Sequence, residues 1–100
     1  MGVEDIIALL ARHGQTATYG ALAALFEMAT QSVMKDREQT HQNSWIVASK
    51  TGMPSGYSPE QIDPRLLEFV EKGGKPLKSV DELRTWVLAN TTDEDFNEGE

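Results

Sequence analysis

The sequence predicts a mainly helical domain with one small β element, arranged like a winged helix with an extra C-terminal helix. Three observations predict it. Apolar residues recur at helical spacing in five short segments, each bounded by a glycine, a proline or a capping side chain. Two of these segments, 19–26 and 31–38, are separated by a short turn, the pattern of a helix-turn-helix. One run, Trp45, Ile46, Val47 and Ala48, is β-prone, and the glycine- and proline-bearing stretch 49–56 after it reads as a turn or wing.

Each element has its own local reason. Val3, Ile6, Ile7 and Leu10 place an amphipathic helix over residues 3–12. His13 and Gly14 end it, because glycine takes the left-handed cap conformation without strain. Residues 15–18 read as a connector. Thr18 caps a second helix over 19–26, with Leu22, Ala23, Leu25 and Phe26 as its apolar face. After a turn at 27–29, Thr30 caps a third helix from 31 to about 38, with Val33 and Met34 facing inward. Asp63 and Pro64 begin a fourth helix over 65–72, with proline at its first position and Leu66, Leu67, Phe69 and Val70 apolar. Gly73 and Gly74 stop it. Ser79 and Glu82 form a capping box that opens a fifth helix to about residue 89, carrying Val80, Leu83, Trp86 and Val87. The expected organisation is one domain over 1–90 and an acidic, disordered tail over 91–100.

Composition narrows the chemistry. The chain has no cysteine. Disulfides, thiolate metal sites and thiol nucleophiles are therefore excluded, and the expected location is the cytoplasm. No apolar stretch reaches the roughly 18–20 residues that span a bilayer. The N-terminus, with Glu4 and Asp5, lacks the basic region of a signal peptide. The net charge is −7, but residues 93–100 hold five acids and no base. Without them eleven acids face nine bases, so the tail carries most of the asymmetry. A body at −2 is not the usual footprint of a nucleic-acid binder and favours a protein partner.

No motif announces catalysis, and no cofactor or metal is expected. His13 and His41 lie far apart and outside any ligand spacing. Glu60, Asp63, Glu68 and Glu71 read as a solvated face. No serine sits in a Gly-x-Ser-x-Gly elbow, and Ser79 is accounted for as a cap. The stretch from Gly52 to Gly56 lacks the lysine of a phosphate-binding loop. For DNA the candidates are Gln31, Ser32, Lys35 and Arg37 on the third helix, with Lys50 in the following turn. Residues 31–58 carry a net +1, which makes this the least acidic long segment.

Two stretches carry a resemblance. Thr18-Tyr19-Gly20-Ala21-Leu22-Ala23 is similar to the start of the helix-turn-helix in O6-alkylguanine-DNA alkyltransferases and alkyltransferase-like proteins, whose pattern is Thr/Ser-Tyr-Gly-x-x-Ala. The run from Asn43 to Tyr57 resembles the family's Pro-Cys-His-Arg-Val-Val segment, its turn glycine and its Gly-Tyr, without a gap. The resemblance covers about residues 3–74 and rests on the order and spacing of short motifs. It implies a winged-helix-like DNA-binding domain, with Tyr19 matching a tyrosine that contacts the DNA backbone and Tyr57 one that lines the alkyl pocket. Tyr19 as a packing aromatic, Tyr57 as a wing residue against Trp45, and Trp45 as core are the competing readings.

The departures from the family carry the functional expectation. Ser44 stands where the alkyl-accepting cysteine would be, or Asn43 if the register shifts by one, and Trp45 replaces its histidine partner. A serine hydroxyl without a base is a poor nucleophile at neutral pH. Gln31 occupies the place of the arginine that enters the base stack, and Ser58-Pro59 replaces a Gly-Gly. The resemblance thus implies a pocket-like group of Asn43, Ser44, Trp45 and Tyr57 without alkyl transfer. Alkyltransferase-like proteins also lack the cysteine and still bind DNA. A non-enzymatic DNA-binding module is the leading expectation, a protein-interaction module on a degenerate DNA-binding fold the second, and an enzyme using loop 43–57 the third.

Overall fold

The computed structural model describes residues 2–91. It is mainly helical, with four α-helices and a two-stranded parallel sheet among those residues. Helix α1, Val3–His13, has Glu4 and Asp5 in its first turn and Arg12 and His13 in its last, both matched to the helix dipole. Gly14 ends it at φ 72° and ψ 42°, in the left-handed region. Ile6, Ile7, Leu9 and Leu10 are its buried face.

The stretch 15–18, expected as a connector, contains strand β1, Ala17–Thr18, which pairs in parallel with β2, Ile46–Val47. Ala17 stands opposite Ile46, and Thr18 opposite Val47. On its other edge β1 meets Leu77: the Thr18 N–H donates to the Leu77 carbonyl at 3.0 Å, and the Leu77 N–H to the Thr16 carbonyl at 3.0 Å. Two residues are too few for a period-2 pattern to show, and the pairing is long-range, so no local signal marked β1. β2 is shorter than the expected 45–48, because Asn43–Trp45 forms a 3-10 turn that leads into it.

Thr18 then caps α2, Tyr19–Leu25, accepting the Ala21 N–H on its hydroxyl at 3.1 Å. The third helix expected over 31–38 is not an α-helix. Residues 30–36 form a chain of turns, with Ser32 N–H to the Ala29 carbonyl and Lys35 N–H to the Ser32 carbonyl, and Asp36 is left-handed at φ 64°. Thr30, Ser32, Val33 and Asp36 are weak helix formers, and only Val33 is buried. A short helix needs a packed stripe to offset its nucleation cost, and one anchor does not supply it.

The rest follows the expected punctuation. Asp63 caps α3, Pro64–Glu71, through the Arg65 N–H at 2.9 Å. Ser79 and Glu82 close the capping box of α4, Val80–Asn90. The wing stretch is a tight loop in which the Gly52 N–H meets the Ala48 carbonyl and the Ala48 N–H meets the Met53 carbonyl. It sends no returning strand to β2 among the described residues. One apolar cluster joins all four helices: Ile7 and Leu10 from α1, Leu22 from α2, Leu66 from α3 and Leu83 from α4 meet Trp45, Ile46 and Val47. No helix among the described residues is long and apolar enough to cross a membrane. The acidic tail, apart from Thr91, lies outside the described residues.

Candidate nucleic-acid interface

Tyr19 opens α2 immediately after the Thr18 cap and emerges half-buried at the molecular surface. Two adjoining cavities share it and Thr30. One, of about 470 Å³, is lined further by Gln31, Met34, Lys35 and Ser55. The other, of about 430 Å³, reaches Ser49, Lys50 and Lys78. No carboxylate lines either of them. Lys35, Lys50 and Lys78 are exposed, and none of the three forms an ion pair among the described residues.

The Tyr19 hydroxyl accepts the Ser55 N–H at 2.9 Å, which ties the first turn of α2 to the loop after β2. That bond uses a lone pair and leaves the phenolic proton available to an acceptor in the groove. Tyr57 lies near enough to feel Tyr19; burial first, and the neighbouring phenol second, push its pKa above the ordinary tyrosine value. The loop is held on its other side by Gln39, whose Nε2 donates to the Gly56 carbonyl at 3.1 Å.

Of the six DNA-contact candidates, the fold brings Tyr19, Gln31, Lys35 and Lys50 together around this groove. Ser32 is exposed but lines neither cavity. Arg37 is turned the other way. Its Nη1 pairs with the Glu4 carboxylate at 2.8 Å and its Nε donates to the Val33 carbonyl at 3.2 Å, so it clasps the turn segment to α1. The guanidinium bond holds the Glu4 carboxyl below its usual range. No local sequence signal marks Lys78. It precedes the Ser79 cap, and only the pairing of Leu77 with β1 carries it to the start of α2.

The Asn43-Ser44-Trp45 group is a structural joint. Ser44 has 0% of its surface exposed; its hydroxyl donates to the His41 carbonyl at 2.6 Å and accepts the Asp63 N–H at 3.1 Å. Trp45 is equally buried, and its indole N–H donates to Asp63 Oδ2 at 3.1 Å. The Arg65 guanidinium lies 5.3 Å from its ring centroid, and the Phe69 ring meets it edge-on at 6.2 Å. The same guanidinium also donates to the Ala11 carbonyl at the end of α1. Asn43 is half-buried and donates through Nδ2 to the Glu38 carbonyl at 2.7 Å. Burial pushes the Asp63 carboxyl up, but the Arg65 N–H, the indole N–H and the guanidinium together hold it below the usual value. The expected pocket-like group thus divides: Ser44 and Trp45 belong to the interior, Asn43 closes a turn, and Tyr57 stands beside Tyr19.

A third cavity, of about 500 Å³, follows one face of α4 and is lined by Leu77, Trp86 and Ala89 together with Asp81, Glu82 and Thr85. Among the described residues no cluster of three or more histidine or carboxylate side chains is placed to hold a metal ion. No family model, no curated protein and no solved structure matches this chain.

Proposed function

We propose that this chain is a non-enzymatic DNA-binding module, built as a degenerate winged-helix-like domain that meets duplex DNA with the groove around Tyr19. The observation that carries the reading is the convergence of Lys35, Lys50 and Tyr19 on two adjoining cavities that no carboxylate lines, in an otherwise acidic chain. A local cluster of cations attracts a phosphate backbone even when net charge opposes it, because at physiological salt charges beyond about 8 Å are largely screened. The resemblance of 18–23 and 43–57 to the alkyltransferase family supports the same reading. Ser44, proton-committed and without exposed surface, fits a protein that does no alkyl transfer.

The reading departs from the family where the stack-entering arginine would be. Gln31 lines the groove but has no charge, and Arg37 is clasped to Glu4. Holding a flipped nucleotide out costs a few kcal/mol. Binding should therefore rest on backbone contact, with a Kd of roughly 10⁻⁴–10⁻⁶ M and steep weakening by salt. Fluorescence anisotropy of labelled duplexes at low salt, with and without an O6-alkylguanine, tests it. Lys35→Glu and Lys50→Glu should weaken binding to both duplexes alike, and Arg37→Glu should weaken it less. Absence of binding to any duplex would end the proposal.

The second reading, a protein-interaction module, is favoured by a different surface: α4 carries a cavity along one face, and Leu88 on the same helix is 67% exposed. Ala89→Arg would block a partner seated there while leaving anisotropy with DNA unchanged.

A further inference from the structure

We infer that Lys78, from the segment that bridges to β1, is a phosphate-contacting residue, so that the C-terminal helical addition is part of the nucleic-acid surface. This rests on the proposed DNA reading and extends it beyond residues 3–74, the only part of the chain that the resemblance covers. Lys78 lines the same cavity as Lys50, together with Tyr19 and Gly20 at the opening of α2. Its position is set by main-chain bonds. The Leu77 N–H and carbonyl are both engaged by the β1 stretch at 3.0 Å, and the Lys78 N–H donates to Glu82 Oε1 at 2.8 Å.

Neither nearby carboxylate cancels Lys78 in the groove: Asp81 pairs with Arg84 at 3.6 Å and lines the α4 cavity, and the second is Glu82. Its Oε1 accepts the N–H groups of Lys78 and Ser79, and its side chain lines the α4 cavity rather than the one at Tyr19. The ammonium itself has no ion-pair partner among the described residues. Three lysines from three separate chain segments thus surround two cavities joined at Tyr19: Lys35 in one, Lys50 and Lys78 in the other. Three point charges on flexible stems suit a phosphodiester backbone, which needs charge rather than planar bidentate geometry.

Counterion release turns this into numbers. Three phosphate contacts give a slope of log affinity against log salt of about −2.7, and each lysine removed lowers its magnitude by about 0.9. At roughly 0.1 M salt that corresponds to about an eight-fold loss of affinity per lysine. The test is anisotropy of the full chain with an unmodified duplex across a salt series, comparing Lys78→Gln with Lys35→Gln, Lys50→Gln and the remote control Lys72→Gln. Lys72 pairs with Glu68 on α3 and lines neither cavity at Tyr19. The expected result is that Lys78→Gln matches Lys50→Gln in slope and affinity while Lys72→Gln behaves as the parent. If Lys35→Gln and Lys50→Gln weaken binding but Lys78→Gln does not, the role of Lys78 is overturned and the DNA reading stands. If the parent binds no duplex at any salt, both fall together.

Discussion

Ser44→Ala is the sharpest structural test, because the same side chain sits where catalysis would be sought. The serine hydroxyl is the middle of a relay from the Asp63 N–H to the His41 carbonyl, at 3.1 and 2.6 Å. Removing it deletes two hydrogen bonds and leaves the Asp63 N–H facing a methyl group, while the His41 carbonyl keeps the Ser44 main-chain N–H at 3.3 Å. Two bonds at about 1 kcal/mol each, with part of the desolvation penalty of the stranded N–H, give a loss of about 2–3 kcal/mol. Ser44 has no exposed surface, so little water enters to restore the bonds. In a chain with stability of about 5–15 kcal/mol that is a large fraction. Urea unfolding followed by tryptophan fluorescence should show the midpoint falling by about 1–2 M at an unchanged slope. DNA anisotropy should be unchanged under conditions where the variant is folded. A loss below about 0.5 kcal/mol, or a specific loss of binding in the folded variant, would refute the assignment of Ser44 to the joint.

Two further outcomes follow from the same packing. The Asp63 carboxyl is held below its usual value, so its contribution to stability is fully present above the unfolded-state pKa of about 4 and is lost as pH falls through the folded one. Asp63→Asn, which has one acceptor oxygen for the two donors at Arg65 and Trp45, should flatten that acid limb in a pH series of urea midpoints; an unchanged acid limb would show that Asp63 does not couple. Gly74→Ala should destabilise by about 1–3 kcal/mol through overpacking, because an added methyl would lie 2.6 Å from the Phe69 carbonyl oxygen. A thermal midpoint within about 2 °C of the parent would contradict that contact.

Local chemistry made much of this fold legible. Gly14 as a left-handed cap, Thr18 at the start of α2, the Asp63-Pro64 entry to α3 and the Ser79–Glu82 box are short-range signals, and each marks the element it should. The apolar faces of α1 and α4 follow from 3.6-residue spacing alone. A local but weak signal does not suffice at 31–38: the segment has capping and polar residues but a single buried anchor, and residues 30–36 settle into turns instead of the expected helix.

Composition by itself determined that no thiol chemistry is available, and the sequence order of Thr18 to Ala23 and Asn43 to Tyr57 placed the region of interest. Tertiary structure alone decided which side chains share a surface. Parallel pairing of Ala17 with Ile46 and the bridge to Leu77 join segments dozens of residues apart, and this brings Lys78 beside Lys50 while the clasp to Glu4 draws Arg37 away. Ser44 and Trp45 became interior for the same reason: their partners, Asp63 and Arg65, arrive from α3 and its lead-in, a contact no window along the chain contains. Hydrogen bonds and burial across long sequence separations are energetically decisive yet leave no periodic trace, so residue type could nominate the site but only packing could assemble it.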